Sequence, residues 1–275
     1  MKLPGSRKLK TMLGRAAGLS GAYARDFRSK MTIVAFHRIN DDLPLDGLTL
    51  GSAKFEAFCR FFHKYFRVLP FSEQVAGCRS GRDMGGTLSV TFDDGYLDNY
   101  EVAAPILRRL GLPATFFITT GFIESKSVAP WDQSLPLKPG WMSWDQVRGL
   151  VAQGFEVGCH TDTHIDMAAS APETIRAELE TSKRKLLREL DVQTQLFAYP
   201  FGGREHMSPG ALALVREAGF TCCASCFGGV NAPSADPYTL HRIGVAQWFD
   251  SPDQFGFELV TNRTERAVSA APSHA

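Results

Sequence analysis

The sequence predicts an α/β fold built on parallel strands, and three observations carry that expectation. Short apolar runs of strand length alternate with amphipathic segments of helix length, the pattern of strands joined by crossover helices. Polar residues gather just after the apolar runs, where both α/β barrels and open doubly wound sheets build their sites. The 275 residues, 44% hydrophobic and 21% charged, suffice for one large domain, because α/β barrels commonly run to about 250 residues.

In chain order, "MTIVAFHRI" reads as a first buried strand. "GSAKFEAFCRFFHKYF" follows as a helix opening at Ser52, with Phe55, Phe58, Phe62 and Tyr65 near one face. "TLSVTF" is a strand, "YLDNYEVAAPILRRLG" a helix closing at Gly111, and "PATFFITTG" the next strand. The connection from Phe122 to Met142 holds Trp131, Trp141 and three prolines and is expected to be an ordered surface loop. Ser143 and Gln146 form a capping box for "WDQVRGLVAQG", which leads into the strand "FEVGCH". In "SAPETIRAELETSKRKLLREL", Ser170 is the expected cap, Glu173 its reciprocal partner, and Ile175, Leu179, Leu186 and Leu190 the buried face. "TQLFAYP" is a strand and "SPGALALVREAG" a capped helix.

Three segments result: a basic N-terminal arm over residues 1–30, a catalytic domain over 31–260 and a weakly ordered tail over 261–275. The arm's apolar residues never run long enough for a signal-peptide core or a spanning helix, so the expected location is the cytoplasm. Leu9, Met12, Leu13 and Ala16 recur at helical spacing beside Lys and Arg, so the arm reads either as a flexible or packed helix or as peripheral contact with an anionic membrane. The net charge of +1, with no groove-like mixture of basic and aromatic residues, argues against nucleic acid. Without an export signal most of the six cysteines are expected to be reduced, with redox activity of the Cys223–Cys226 pair left open. The Cys223–Cys226 spacing supplies too few ligands for a closed zinc site.

Chemistry concentrates in four stretches. "GTLSVTFDDGYLDN" ends an apolar run on adjacent carboxylates, Asp93 and Asp94, which repel each other unless a cation or proton lies close. "GCHTDTHIDM" sets His160 and His164 four residues apart. If the segment turns at once into helix, both imidazoles share one face and can grip one ion. A carboxylate from the acidic pair completes a two-histidine, one-carboxylate set with open positions, and its neighbour is free to take a proton from water. Asp162 and Asp166 either orient these ligands or face solvent. In "LFAYPFGG", the turn at Tyr199 to Gly202 can aim the Phe201 N–H at an oxyanion between aromatic walls. In "LHRIGV", His241 can protonate a leaving amine and Arg242 can pair with a site carboxylate; His37, in "AFHRI", is placed to bind substrate. Trp131, Trp141, Trp144 and Trp248 are candidate sugar-stacking surfaces.

The combination of "TFDDGY", "HTDTH", "FAYPFG" and "HRIGV", in that order, resembles the polysaccharide deacetylase family, also called the NodB-homology or carbohydrate esterase 4 family, from about Met31 to Gln247. The resemblance implies a distorted (β/α) barrel that hydrolyses N-acetyl, less often O-acetyl, groups on sugars. It implies Asp93 as base, Asp94, His160 and His164 as ligands of one divalent metal, the Phe201 amide as oxyanion donor and His241 as acid. Zinc is the first expectation, with cobalt, iron, nickel or manganese as alternatives. The sequence departs from the family where the third motif lacks its usual Arg, so Arg242 or Arg38 is expected to supply that charge.

The expected partner is an acetylated glycan, either a polysaccharide, an oligosaccharide or a lipid-linked precursor. An amidase on a small nonsugar amide and a noncatalytic glycan-binding protein are the two rivals. Nothing in the sequence speaks to oligomeric state.

Overall fold

The computed structural model describes residues 5–261, so the tail beyond Thr261 lies outside the described residues. The strands are β1 (Thr32–Phe36), β2 (Arg38–Ile39), β3 (Thr49–Leu50), β4 (Arg67–Val68), β5 (Thr87–Phe92), β6 (Thr115–Ile118), β7 (Glu156–Cys159) and β8 (Ile243–Gly244). A parallel sheet runs in the order β7-β6-β5-β1-β8, with β4 pairing to the start of β5. Every residue of β1, β5 and β6 is buried, as expected for parallel strands covered on both faces. Beyond β7 the ladder thins to single parallel bridges, Cys159↔Phe197, Ala198↔Ala224 and Ala224↔Leu240. The last of these lies three residues before β8, which pairs with β1. The "TQLFAYP" segment is therefore a pair of bridges rather than a full strand, because Pro200 has no N–H to extend the ladder.

The helices are α1 (Gly5–Leu19), α2 (Ala22–Asp26), α3 (Ser52–Tyr65), α4 (Phe71–Arg79), α5 (Ala104–Arg109), α6 (Trp144–Ala152), α7 (Pro172–Leu190), α8 (Pro209–Glu217) and α9 (Pro252–Val260). Helix α3 lays Phe55 edge-on against Phe36 and Phe92, and Phe92 stacks on Phe116 at 4.8 Å, so aromatic packing joins this helix to three central strands. The Ser143–Gln146 capping box of α6 is present in both directions. The start of α7 differs from expectation: Ala171 is its N-cap, and the Ser170 hydroxyl donates instead to the Asp166 carbonyl. Pro172 supplies the preset φ of a first helical turn, so this helix opens without a side-chain cap. The segment after β5 reaches α5 through a π-helical turn over Asn99–Ala103. Among the described residues no helix is long and apolar enough to cross a membrane.

Two breaks in regular structure position the site. The expected strand over 31–39 is interrupted at His37, whose carbonyl accepts from the Asn99 side chain at 2.6 Å while the Ile39 N–H donates to Asp98. The "HTDTH" segment is not helical: it is a loop in which Thr161 and His164 both adopt positive φ, 63° and 59°. That conformation is strained for non-glycine residues, above all for β-branched Thr161. The surroundings hold it. Glu178 of α7 accepts the Asp162 and Thr163 N–H groups at 2.8 Å each, and the Thr161 hydroxyl accepts the His164 N–H at 3.0 Å.

Candidate active site

The site lies at the C-terminal ends of β1, β5 and β7. Asp93 follows the last residue of β5, and Asp94 takes a left-handed φ of 75°. In a continued strand adjacent side chains point to opposite faces; this turn breaks the alternation and lets both carboxylates serve one cavity. His160 follows β7 directly. Its Nδ1 lies 2.8 Å from the Ala198 carbonyl, which can only accept, so Nδ1 carries the proton and Nε2 presents a lone pair. His164 arrives through the strained loop rather than through a helical turn. Both Nε2 atoms converge on Asp94 Oδ1, at 3.4 Å from His160 and 3.3 Å from His164.

This is a metal site by its donor chemistry. All three side chains are buried, and one donor atom from each lies within 4.8 Å of the other two. Asp94 Oδ1 has no hydrogen-bond partner among the described residues. A buried, unpartnered carboxylate oxygen facing the Nε2 atoms of two buried imidazoles, one of them presenting a lone pair, is costly unless a cation sits between them. Burial opposes the charge on Asp94, yet contact with His160 and His164 holds its carboxyl well below the usual range. Burial likewise opposes protonation of His160, but Asp93 and Asp94 raise it. The cluster's negative field therefore attracts positive charge in any form.

Asp93 is held apart from these ligands. The guanidinium of Arg242 grips it in a two-pronged pair, Nη1 to Oδ1 and Nη2 to Oδ2 at 2.7 Å each, while its Nε donates to the Ser225 carbonyl. Arg242 is completely buried. Burial would raise the Asp93 carboxyl, but Arg242 and His160 hold it below its ordinary value. The charge missing from the third motif thus comes from Arg242. Arg38 is spent elsewhere, on Asp132 and Asp46. The His37 Nε2 lies 3.9 Å from Asp93 Oδ2. Burial pulls that imidazole below its ordinary value, with Asp94 and Asp93 opposing the shift.

The other expected residues separate by position. Phe201 has a left-handed φ of 59°, is 47% exposed, and sets its ring 4.6 Å from that of His164. The neighbouring amides of Tyr199 and Gly202 donate to Ala224 and Pro200, which leaves the Phe201 N–H as the turn's candidate oxyanion donor. Tyr199, expected among the substrate contacts, is instead a core residue. It is buried, its ring packs against Phe197, and burial beside Cys223 raises its phenol. His241 packs its ring on Phe227 at 4.8 Å, and its backbone exchanges two hydrogen bonds with the Asn231 side chain. Of the four tryptophans, Trp131 reaches the metal ligands, whereas Trp141 and Trp144 are buried and Trp248 hydrogen-bonds the Gly244 carbonyl. Asp162 and Asp166 orient the ligand loop, through Thr120 and Lys185 and through His206 respectively. The six cysteines are free thiols; burial pushes Cys226 up to about 11 and Cys223 well above its ordinary value, so neither is activated.

One network was not visible in the sequence. His164 lacks a hydrogen-bond partner at Nδ1 among the described residues and is held by rings instead, with Trp131 at 4.6 Å and Phe122 and Phe201 around it. The Trp131 indole donates to the Tyr96 hydroxyl at 2.8 Å, Tyr96 donates to Asp132 at 2.8 Å, and Asp132 is ion-paired with buried Arg38. Outer partners of metal ligands typically contribute about 10–100-fold to metal affinity. Trp131→Ala is therefore expected to weaken divalent-metal binding by about that factor in a chelator competition, and Trp131→Phe, which keeps a ring, by less. Equal affinity in Trp131→Ala and wild type would remove Trp131 from this role.

Fold and site together define a metal-dependent hydrolase. The polysaccharide deacetylase family model matches residues 81–223, just over half of the chain, and the chain belongs to that family. It is 23% identical over 220 residues to YxkH of Bacillus subtilis (strain 168), covering 79% of this chain and 72% of that protein. It is 23% identical over 208 residues to the poly-beta-1,6-N-acetyl-D-glucosamine N-deacetylase of Staphylococcus aureus, covering 72% and 68%. Among solved structures, the Streptococcus pyogenes deacetylase PplD in complex with acetate superposes with a TM-score of 0.68 at 20% identity, over 82% of this chain and 96% of that one. IcaB from Ammonifex degensii gives 0.68 at 22%, over 86% and 97%. These likenesses support the α/β fold with its central parallel sheet. Family membership and the Asp94–His160–His164 triad make the chain a metal-dependent deacetylase acting on an acetamido bond.

Proposed function

We propose that the substrate is an N-acetylated glycan, that zinc is the working metal, and that Asp93 is the general base. The observation that carries the reading is a carboxylate outside the metal triad, with both oxygens on Arg242 and held ionised by it. Asp94, His160 and His164 would hold a divalent cation, which would supply Lewis acidity to the acetyl carbonyl and to a water. Asp93 takes that water's proton, and Arg242 fixes the direction in which the carboxylate can accept it. The Phe201 N–H is available to the oxyanion. The carbon–nitrogen bond then breaks as a histidine protonates the leaving amine, giving acetate and a free amino sugar. His37, whose Nε2 lies 3.9 Å from Asp93 Oδ2, is the donor proposed, with His241 the second candidate.

Zinc is favoured by the donor set, since two imidazoles and one carboxylate are the ligand types of open catalytic zinc sites. A glycan is favoured by exposed Phe201 and half-buried Trp131 beside the ligands, apolar faces suited to a sugar ring. The name of the Staphylococcus aureus relative, an N-deacetylase of a poly-N-acetylglucosamine, points the same way. Residues 31–260 form the proposed catalytic domain, and six free thiols suit a reducing compartment such as the cytoplasm.

The test is acetate release from N-acetylhexosamine oligomers, lipid-linked glycans and small nonsugar amides, with wild type, His37→Gln and His241→Gln. Glycan turnover that falls about 10²–10⁴-fold in His37→Gln is expected. Turnover confined to nonsugar amides would reject the glycan, and a selective loss in His241→Gln would move the acid to that residue.

A further inference from the structure

Helix α1 is packed with its apolar pattern reversed. The side turned to α9 is small and polar: a Cβ on Gly14 would meet the Asp253 carbonyl oxygen at 1.9 Å, the Thr11 hydroxyl lies 2.9 Å from that of Ser251, and Lys10 pairs with Glu258 at 2.8 Å. The side turned away carries Leu9, Met12, Leu13 and Leu19, which are 55%, 70%, 44% and 84% exposed, with Ala16 between them. An ordinary surface helix buries such a stripe. Here the fold takes the opposite face, and a contiguous exposed apolar patch of this kind marks an interaction surface.

Charge selects the partner. Residues 1–30 hold eight Lys and Arg against one Asp, while the whole chain has a net charge of only +1, so the remainder is net acidic. Lys8 and Arg15 are exposed beside the stripe, Arg15 keeping a surface pairing with Asp253 at 3.6 Å. A symmetric pair of these helices would set the same basic residues against each other. We propose that the outward face of α1 docks the protein on an anionic lipid bilayer, with Leu9, Met12, Leu13 and Leu19 entering the headgroup layer and Lys8 and Arg15 meeting lipid phosphates. At 15 residues the helix lies on the surface rather than crossing it. The proposal is independent of the glycan assignment.

The experiment is co-sedimentation of the full chain with phosphatidylglycerol–phosphatidylcholine vesicles and with pure phosphatidylcholine vesicles. Wild type is expected to bind the anionic vesicles, less so as salt rises. Leu9→Gln/Met12→Gln/Leu13→Gln should lose about a hundredfold in affinity, and Lys8→Gln/Arg15→Gln about fivefold per charge removed. Because these side chains are exposed, and the Arg15–Asp253 pair is a long surface one worth little to the fold, both variants should keep the wild-type helical circular dichroism and the wild-type rate on a soluble substrate. Absence of binding, or equal binding by the triple variant, would overturn the proposal. So would a wild-type dimer that the triple variant converts to monomer, since that outcome would give the face to a second copy of the chain.

Discussion

Asp93→Asn is expected to lower kcat by about 10²–10⁴-fold, the range for removal of a positioned general base, while one metal ion per chain stays bound. The two halves of that result are separable because the two carboxylates are. Asp93 gives both its oxygens to Arg242, and Asp94 turns its Oδ1 to the two imidazoles. An amide at position 93 cannot accept the proton from water, yet it leaves the ligand set intact. A variant that lost metal and activity together would mean that Asp93 belongs to the coordination sphere.

Arg242→Met is expected to destabilise the metal-free protein by about 3–5 kcal/mol at neutral pH, the usual cost of leaving a buried charge without its partner. The pH dependence gives this prediction its sign. In the wild type Asp93 titrates below its ordinary value, so the pair's contribution is present above the unfolded carboxylate value and is lost as pH falls through the folded one. Without Arg242, burial becomes the dominant influence and raises Asp93. The variant then suffers most at neutral pH, and its deficit shrinks as pH falls and Asp93 takes up a proton. Urea denaturation across pH measures the gap. A deficit that stayed constant with pH would assign Arg242 a packing role rather than a charge role. In the metal-loaded enzyme the same substitution should move the acid limb of the rate profile to higher pH.

Local features of the site were legible in the sequence, and features made by distant contacts were not. The strand ending on Asp93 and Asp94 reads directly, because the strand-forming run TLSVTF stops at two acids. The four-residue spacing of His160 and His164 also reads directly, although the helix it suggested is absent. A positive φ at Thr161 and His164, stabilised by Glu178 of α7, does the converging instead, and periodicity carries no trace of left-handed backbone. Arg242 could be named as a partner for a site carboxylate, but it stands 149 residues from Asp93, and only the return of β8 to β1 brings them together. The chain from Arg38 through Asp132 and Tyr96 to Trp131 had no local signature as a network, since its members lie in three separate segments that only the fold brings together. Tyr199 failed for a simpler reason. Alternation about a strand end depends on where the strand stops, and the bridges at Phe197 and Ala198 turn that ring into the core.

The most direct test of the whole account is acetate release from an N-acetylhexosamine oligomer by chelator-stripped protein before and after one equivalent of zinc, run beside His160→Ala and Asp93→Asn. The account predicts no release from stripped protein and full recovery with zinc. It also predicts failure of His160→Ala with weakened zinc binding, and failure of Asp93→Asn with zinc still bound. Release that persisted in the stripped protein, or in Asp93→Asn at the wild-type rate, would contradict it.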